Sequence, residues 1–498
     1  MVRLKKGVVN PDLVLQVNKE SRESRLKLNC SHLQPFNPFP IPNSPFPILS
    51  KMLVLVQMLN LTAFANRNQR CLRAVTAVAL LLTLASCTSD SSTEQPDTVQ
   101  PTSSDSWESP ELPPTPNLPT PKLPKSAPSL PKSTANRELL EESWDIYRQQ
   151  FIQADGRVID YEDSDRSTSE GQAYAMLRAI IIDDPTTFAL TLDWAEKNLH
   201  RLSDTGVHRD QLWAWKWGQS KPGKWGAIDK NFASDADIDA ITALILASRR
   251  WNQPEYLKLA RRKLRDLWYF STIEVPGGKR YLLPGPAEAF SPTPTTIYLN
   301  PSYFAPYAFR LFAQVDKERD WMSLVKSSYE ALEESSKVSA VGLPSDWIAL
   351  DTQTGKFQAV PAQNNLQSVY SFDAYRVWWR VAWDAAWFNA PEAEKYLRTA
   401  TKHLEKQWRE QKRLPARIDL QGKATVNYEA TSQYAMLYPA FRLINPDIAE
   451  QLLEEKLLTT YKQGIWDDQS AYYTQNLAWI GILSPSVVEP QLLQPQSK

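Results

Sequence analysis

The chain has 498 residues, with 56 basic and 56 acidic side chains and a formal net charge of zero. That balance offers no excess positive charge for nucleic acid or another polyanion, so a neutral partner such as a polysaccharide fits better. Three cysteines (Cys30, Cys71, Cys87) and four scattered histidines (at 32, 200, 208 and 403) give no metal-ligand spacing, so no metal and no cofactor are expected.

Residues 1–57 are rich in Asn, Pro and Leu without a period, and are expected to be a disordered extension or to lie upstream of the true start, for which Met52 or Met58 is more natural. Residues 58–87 read as a lipoprotein-type signal peptide. A basic stretch, Arg67 to Arg73, precedes the eleven-residue apolar run Ala74–Leu84 and then Leu84-Ala85-Ser86-Cys87. The run is too short to span a bilayer, which takes roughly 20 residues. Resemblance to the lipobox implies cleavage before Cys87 and lipidation of its thiol, the one expected link to a membrane; an ordinary secretory signal is the alternative. Thr88 in place of Asp points to the periplasmic side of the outer membrane rather than the inner. A mature chain starting at Cys87 would have no thiol left for a disulfide. Residues 88–135 carry closely spaced prolines from Pro113 to Pro131 among Ser, Thr and acidic residues, the composition of an extended tether with a reach of at most ~150 Å.

Residues 136–490 form the globular part, roughly 360 residues with ample length for a core. Apolar positions recur at three- and four-residue intervals, which predicts helices over 136–153, 169–183, 185–199, 235–251, 254–268, 300–316, 317–336, 371–388, 391–410, 427–444, 446–462 and 468–483. Pro185, Pro254, Pro301 and Pro391 near their starts agree with first-turn proline. Twelve helices in consecutive hairpins can close into six inner and six outer ones. The intervals 200–234, 269–299 and 337–370 exceed ordinary helix links, so they are expected to be structured and to wall an open cleft at one rim.

Three segments place a carboxylate at or near a predicted helix start: Ser169-Glu170-Gly171-Gln172, Ala233-Ser234-Asp235-Ala236-Asp237, and Ser371-Phe372-Asp373-Ala374-Tyr375-Arg376. In a chain with 18 tryptophans this pattern suggests sugar chemistry. Glycoside cleavage needs one carboxyl that keeps its proton and another that is ionised, while aromatic faces stack on the C–H side of a pyranose. Asp235, Asp237 and Asp239 alternate like a calcium loop, but the positions that need Gly and Glu hold Ala240 and Leu246. Helical spacing keeps the three from facing one groove together. Trp215 and Trp217, on a loop beside Lys216 and Gly218, are candidates for stacking; the stripe Trp379, Trp383 and Trp387 reads as core.

These residues resemble glycoside hydrolase family 8, the inverting endo-acting enzymes that include endoglucanases, chitosanases and xylanases. The resemblance runs from about Glu138 to Leu483. Ser169–Met176 is similar to the segment bearing the general acid, which would be Glu170. Ala233–Trp251 resembles the family signature, with Asp235 beside the sugar that distorts and Asp237 as a further substrate contact. Asn300–Pro306 and Gly342–Trp347 are similar to two more blocks. Asp373 matches the general base of the cellulase-like subgroup, and Tyr303 and Arg376 match binding positions. The chain departs from the pattern at Ala240-Ile241, where the family usually has Ile-Ala, and at Phe372, where Tyr is common; Tyr370 is the candidate to supply the missing hydroxyl.

The resemblance implies an all-α (α/α)6 barrel, a toroid of six helical hairpins. It also implies an inverting endo-β-1,4-glucanase acting on cellulose or a related β-glucan, with Glu170 as acid and Asp373 as base, expected to be monomeric. Some matches are similar to endoglucanases that accompany bacterial cellulose synthesis, which makes the cellulose-synthesis machinery a candidate partner. Chitosan or xylan cleavage, and a non-catalytic polysaccharide-binding envelope lipoprotein, stay open as alternatives.

Overall fold

The computed structural model describes residues 134–203, 205–221, 223–361 and 366–495. All of these lie in the second of two units, Pro110–Lys498. The expected extension, the signal with Cys87 and all but the end of the tether fall outside the described residues.

In chain order the main helices are α1 (Thr134–Phe151), α2 (Ser169–Ile181), α3 (Pro185–Asn198), α4 (Ser234–Arg250), α5 (Pro254–Ser271), α6 (Pro306–Val315), α7 (Trp321–Ser336), α8 (Arg376–Phe388), α9 (Pro391–Ala400), α10 (Lys402–Gln411), α11 (Thr431–Ile444), α12 (Pro446–Leu452) and α13 (Tyr472–Ile482). Helices α2, α4, α6, α8, α11 and α13 each pack on the next, and α13 returns to α2, which closes an inner ring. Helices α3, α5, α7, α9 and α12 follow their inner partners and pack outside them, while α1 covers α13. Five pairs are therefore consecutive hairpins, and the sixth joins the first and last helices of the domain.

Burial follows from these two roles. The inner α4 is buried from Ser234 to Ser248, whereas α5 buries Tyr256, Leu259, Ala260, Lys263, Leu264 and Leu267, the three-and-four spacing of a one-faced helix. The α11–α13 contact is close enough that a Cβ on Gly481 would lie 2.1 Å from the Ala435 carbonyl oxygen. Trp379, Trp383 and Trp387 are core residues, with successive rings 4.6 and 4.5 Å apart.

Several boundaries differ from expectation for local reasons. The helix expected from 300 begins at Pro306, after a single 3-10 turn at Pro301–Tyr303, because a residue before proline avoids the helical region. The stretch 391–410 is two helices, broken at Thr401, whose hydroxyl donates to the Leu397 carbonyl. The stretch 446–462 widens into a π-turn at Leu453–Leu457 and ends in a strand. Helix α8 starts at Arg376 rather than at 371, so Asp373 and Arg376 are not on one helix.

The rim loops hold short strands: β1 (Ser167–Thr168), β2 (His200–Leu202), β3 (His208–Trp213), β4 (Lys216–Lys221), β5 (Lys224–Asp229), β6 (Thr272–Glu274), β7 (Arg280–Leu282), β8 (Thr296–Leu299), β9 (Ile348–Asp351), β10 (Phe357–Gln358), β11 (Tyr461–Lys462) and β12 (Ile465–Trp466). They pair as β1-β4-β5, β10-β9-β8 and three two-stranded hairpins. The long intervals are thus structured, with strands where sequence alternation is weak. Among the described residues no helix is long and apolar enough to cross a membrane.

Candidate active site

Glu170 is the second residue of α2 and the only one in that helix that is not fully buried. Thr168 caps the helix, its hydroxyl oxygen accepting from the Gly171 N–H at 3.0 Å, so the backbone that carries Glu170 is fixed. The Glu170 Oε1 accepts from the Tyr472 hydroxyl (3.1 Å), and Oε2 accepts from Nη1 of Arg376 (2.6 Å).

Arg376, the first residue of α8, gathers three carboxyls that lie far apart in sequence. Its Nη1 also meets Asp235 Oδ2 (2.7 Å), and its Nη2 meets Asp373 Oδ1 (2.6 Å). The side chains of Arg376 and Asp235 are 2% and 3% exposed, those of Glu170 and Asp373 19% and 33%. Only the last two open to solvent. Arg376 therefore links the buried Asp235 to the two partly open carboxyls.

One turn deeper, the same pattern repeats. Asp239 of α4 receives both terminal nitrogens of Arg380 of α8 (2.8 and 2.9 Å) and the Tyr307 hydroxyl (3.2 Å). Asp235 and Asp239 are four residues apart, as are Arg376 and Arg380, so two ionic rungs cross between helices on different sides of the ring.

The charges on the upper rung cannot all be present at once at low cost. Burial pushes the Glu170 carboxyl up to about 7, with Arg376 pulling it down and Asp235 pushing it further up. Burial also raises Asp373, against the pull of Arg376. Of the carboxyls around this guanidinium, Glu170 is the one placed to hold a proton near neutrality. Glu170 and Asp373, the two partly open carboxyls, stand on two different nitrogens of one planar fork.

Asp346, from the loop before β9, fixes the turn that presents Asp373. Its Oδ1 accepts from the Ser371 N–H (3.0 Å) and the Ala374 N–H (2.8 Å), and its Oδ2 is paired with the Ser371 hydroxyl. Those bonds satisfy backbone donors of the turn ahead of α8 that have no helical partner. Burial, followed by repulsion from Asp373, raises the Asp346 carboxyl to about 7. Asp346→Ala is expected to cost about 2–3 kcal/mol in stability from the orphaned donors. It should also lower kcat far more than it changes KM, which urea denaturation and steady-state kinetics together would check.

The other expected residues divide. Tyr303 lies under the Arg376 guanidinium (5.3 Å to the ring centre) and begins an aromatic row through Trp347 to Phe290, which is stacked on Trp347 at 5.6 Å. Trp215 is half-buried, and its carbonyl accepts from the Ser169 N–H (3.0 Å), one residue from Glu170. Trp217 instead packs on Trp194 of α3 and stacks on Trp225, with Arg157 over both rings; its contacts are with the outer layer, not with the carboxyls. Asp237 is also elsewhere: it is fully buried and accepts from the Trp213 N–H (3.2 Å), because two residues along a helix turn a side chain to the opposite face. Tyr370 faces the core, where its hydroxyl accepts from Trp378 Nε1 at 3.0 Å, so it cannot stand in for the hydroxyl absent at Phe372. The Tyr473 hydroxyl instead reaches this segment, donating to the Phe372 carbonyl (2.7 Å).

Sequence reasoning missed Tyr472, Tyr473 and the bracing role of Asp346. Asp346 stood in a recognised block, but nothing local signalled its reach to residue 371. Among the described residues no group of three or more His, Cys, Asp or Glu could hold a metal ion.

A family model for glycosyl hydrolases family 8 matches residues 125–482. An endoglucanase of Xanthomonas axonopodis pv. citri is 35% identical over 237 residues, 47% of this chain and 58% of its own length. One of Salmonella typhi is 33% identical over 240 residues, 47% of this chain and 60% of its own length. The chain thus spans about three-fifths of these curated relatives. The endo-1,4-D-glucanase of Vibrio fischeri ES114 superposes with a TM-score of 0.54 at 26% identity, over 68% of this chain and 93% of that one.

Proposed function

The chain belongs to glycosyl hydrolase family 8, and from that premise we propose that it is an endo-acting, inverting β-1,4-glucanase whose substrate is cellulose or a related β-glucan. The observation that carries this reading is the sharing of Arg376 by Glu170 and Asp373, the two partly open carboxyls, with Glu170 raised to about 7. Inversion calls for an acid that protonates the leaving oxygen and a base that activates water on the opposite face of the ring. Glu170 serves as the acid, and the Tyr472 hydroxyl on its other oxygen orients the proton-bearing edge. Asp373 serves as the base, held in aim by the Asp346-braced turn.

The transition state brings positive charge to the sugar ring, and the residual negative charge of the three carboxyls favours it. Trp215 and the row Tyr303, Trp347 and Phe290 supply apolar faces for sugars on either side. The curated relatives named as endoglucanases support a glucan over chitosan or xylan. We further propose that the protein acts outside the cytoplasm, anchored by lipid at Cys87.

The test is release of reducing ends by the full chain from carboxymethyl cellulose, lichenan, chitosan and xylan. The glucans should be cut internally, with viscosity falling before much sugar is freed. Activity confined to chitosan or xylan would replace the substrate assignment. Binding of all four polymers without turnover would replace catalysis with a binding role.

A further inference from the structure

Trp215 sits on the loop between the third and fourth strands, tied by its carbonyl to the head of α2, and ionisable groups are buried close by at Trp213. Three consecutive helices each send one ionisable side chain to the end of β3. Lys263 of α5 is fully buried; its ammonium donates to the Gln211 carbonyl (2.6 Å), pairs with Glu196 of α3 (2.8 Å), and lies 4.3 Å from the centre of the Trp213 ring. Glu196 in turn accepts from the Trp213 indole N–H (2.8 Å). Asp237 of α4 accepts from the Trp213 backbone N–H (3.2 Å). Trp213 is thereby fixed by its backbone, its ring edge and its ring face.

The chain leaving this clamp has little freedom. The Ala214 N–H donates to the Leu199 carbonyl (2.8 Å), the Trp215 N–H to the Asn231 carbonyl (2.7 Å), and the Trp215 carbonyl accepts from Ser169 at the head of α2. A fully buried lysine is an expensive way to hold a loop unless the position of that loop matters.

We propose that Lys263, Glu196 and Asp237 form a positioning clamp that acts through Trp213 to hold Trp215 where a glucan ring stacks, and so sets substrate affinity. The proposal rests on the glucanase reading and adds residues that touch no substrate.

The experiment is a thermodynamic cycle of the wild-type protein, Trp215→Ala, the pair Lys263→Met with Glu196→Gln, and the triple variant, with kcat and KM measured on cellohexaose at pH 6.5. The paired change removes both charges together, so neither is left buried alone; Asp237, raised by burial to about 8, stays neutral at that pH. Trp215→Ala and the paired change should each raise KM about tenfold with a smaller loss in kcat, and the triple variant should be no worse than Trp215→Ala. Multiplying KM effects, or a paired variant with wild-type KM beside an impaired Trp215→Ala, would overturn the clamp while leaving the enzyme reading intact. An unaltered KM in Trp215→Ala would instead remove the stacking role, and the clamp with it. If circular dichroism finds the paired variant unfolded, Trp213→Phe decides. It deletes the indole bond to Glu196 and shortens the buried ring beside Lys263, and it should still raise KM about two- to threefold; an unchanged KM refutes the proposal.

Discussion

Glu170→Gln is expected to lower kcat on a β-glucan by about three orders of magnitude, the middle of the range for loss of a general acid, while making the protein more stable above pH 7. The two effects have one cause. Folding encloses Glu170 and raises its carboxyl from the usual range to about 7. The folded state therefore binds a proton more tightly than the unfolded state, and stability falls as pH rises from about 4.5 to about 7. Glutamine keeps the shape and the carbonyl that faces Arg376 but carries no charge to lose. The gain should be absent near pH 4, appear through that window, and level off above it at on the order of 2 kcal/mol. In the wild-type enzyme, kcat/KM should decline above about pH 7 as the Glu170 proton leaves. Thermal melts of both proteins at pH 4, 6 and 8, with a pH–rate profile, check this; equal melting temperatures at pH 8 would mean that Glu170 is not held protonated by the fold.

Arg376→Gln should be the most damaging single change at the site. The guanidinium is 2% exposed and is shared by three carboxyls, so its removal leaves buried negative charge without a partner, which costs about 3–5 kcal/mol in comparable cases. Without the positive charge that pulls them down, Glu170 and Asp373 are raised further, so the damage should be large at pH 8 and smaller at pH 5, where protonation removes the repulsion. That order is opposite to the pH trend of Glu170→Gln, and denaturant melts at the two pH values would separate them. Activity should fall by at least two orders of magnitude even where the variant is folded, since the carboxyls proposed as acid and base lose their common anchor.

How much of this was legible in the sequence depended on the range of the interaction. The start of α2 could be read because Thr168, Ser169 and Glu170 are local capping chemistry. The ring of six inner helices could be anticipated from periodicity, but not the pairing of α1 with α13, which joins segments more than 300 residues apart. The acidic run at the head of α4 was correctly limited by helix geometry: Asp235 and Asp239 share a face and Asp237 does not. Which face meets the cleft is set by Arg376 and Arg380 on another helix. Trp217 was misread because entry into β4 right after Trp215 turns the two rings to different surroundings, a break with no strong turn residue to announce it. Spacing of two residues already set Tyr370 on another side from Phe372, and the core contact of its hydroxyl with Trp378 agrees; the turn between them, braced by Asp346 from a distant loop, had no local signal.

The most direct test of the account is the configuration of the sugar that is freed first. Proton NMR of a β-glucan or cellohexaose digest, followed from the first minute before mutarotation, should show the α-anomer of the new reducing end growing ahead of the β-anomer, as required of a water directed by Asp373 against a proton from Glu170. Initial accumulation of the β-anomer would contradict it, because that outcome needs a nucleophile in place of the base.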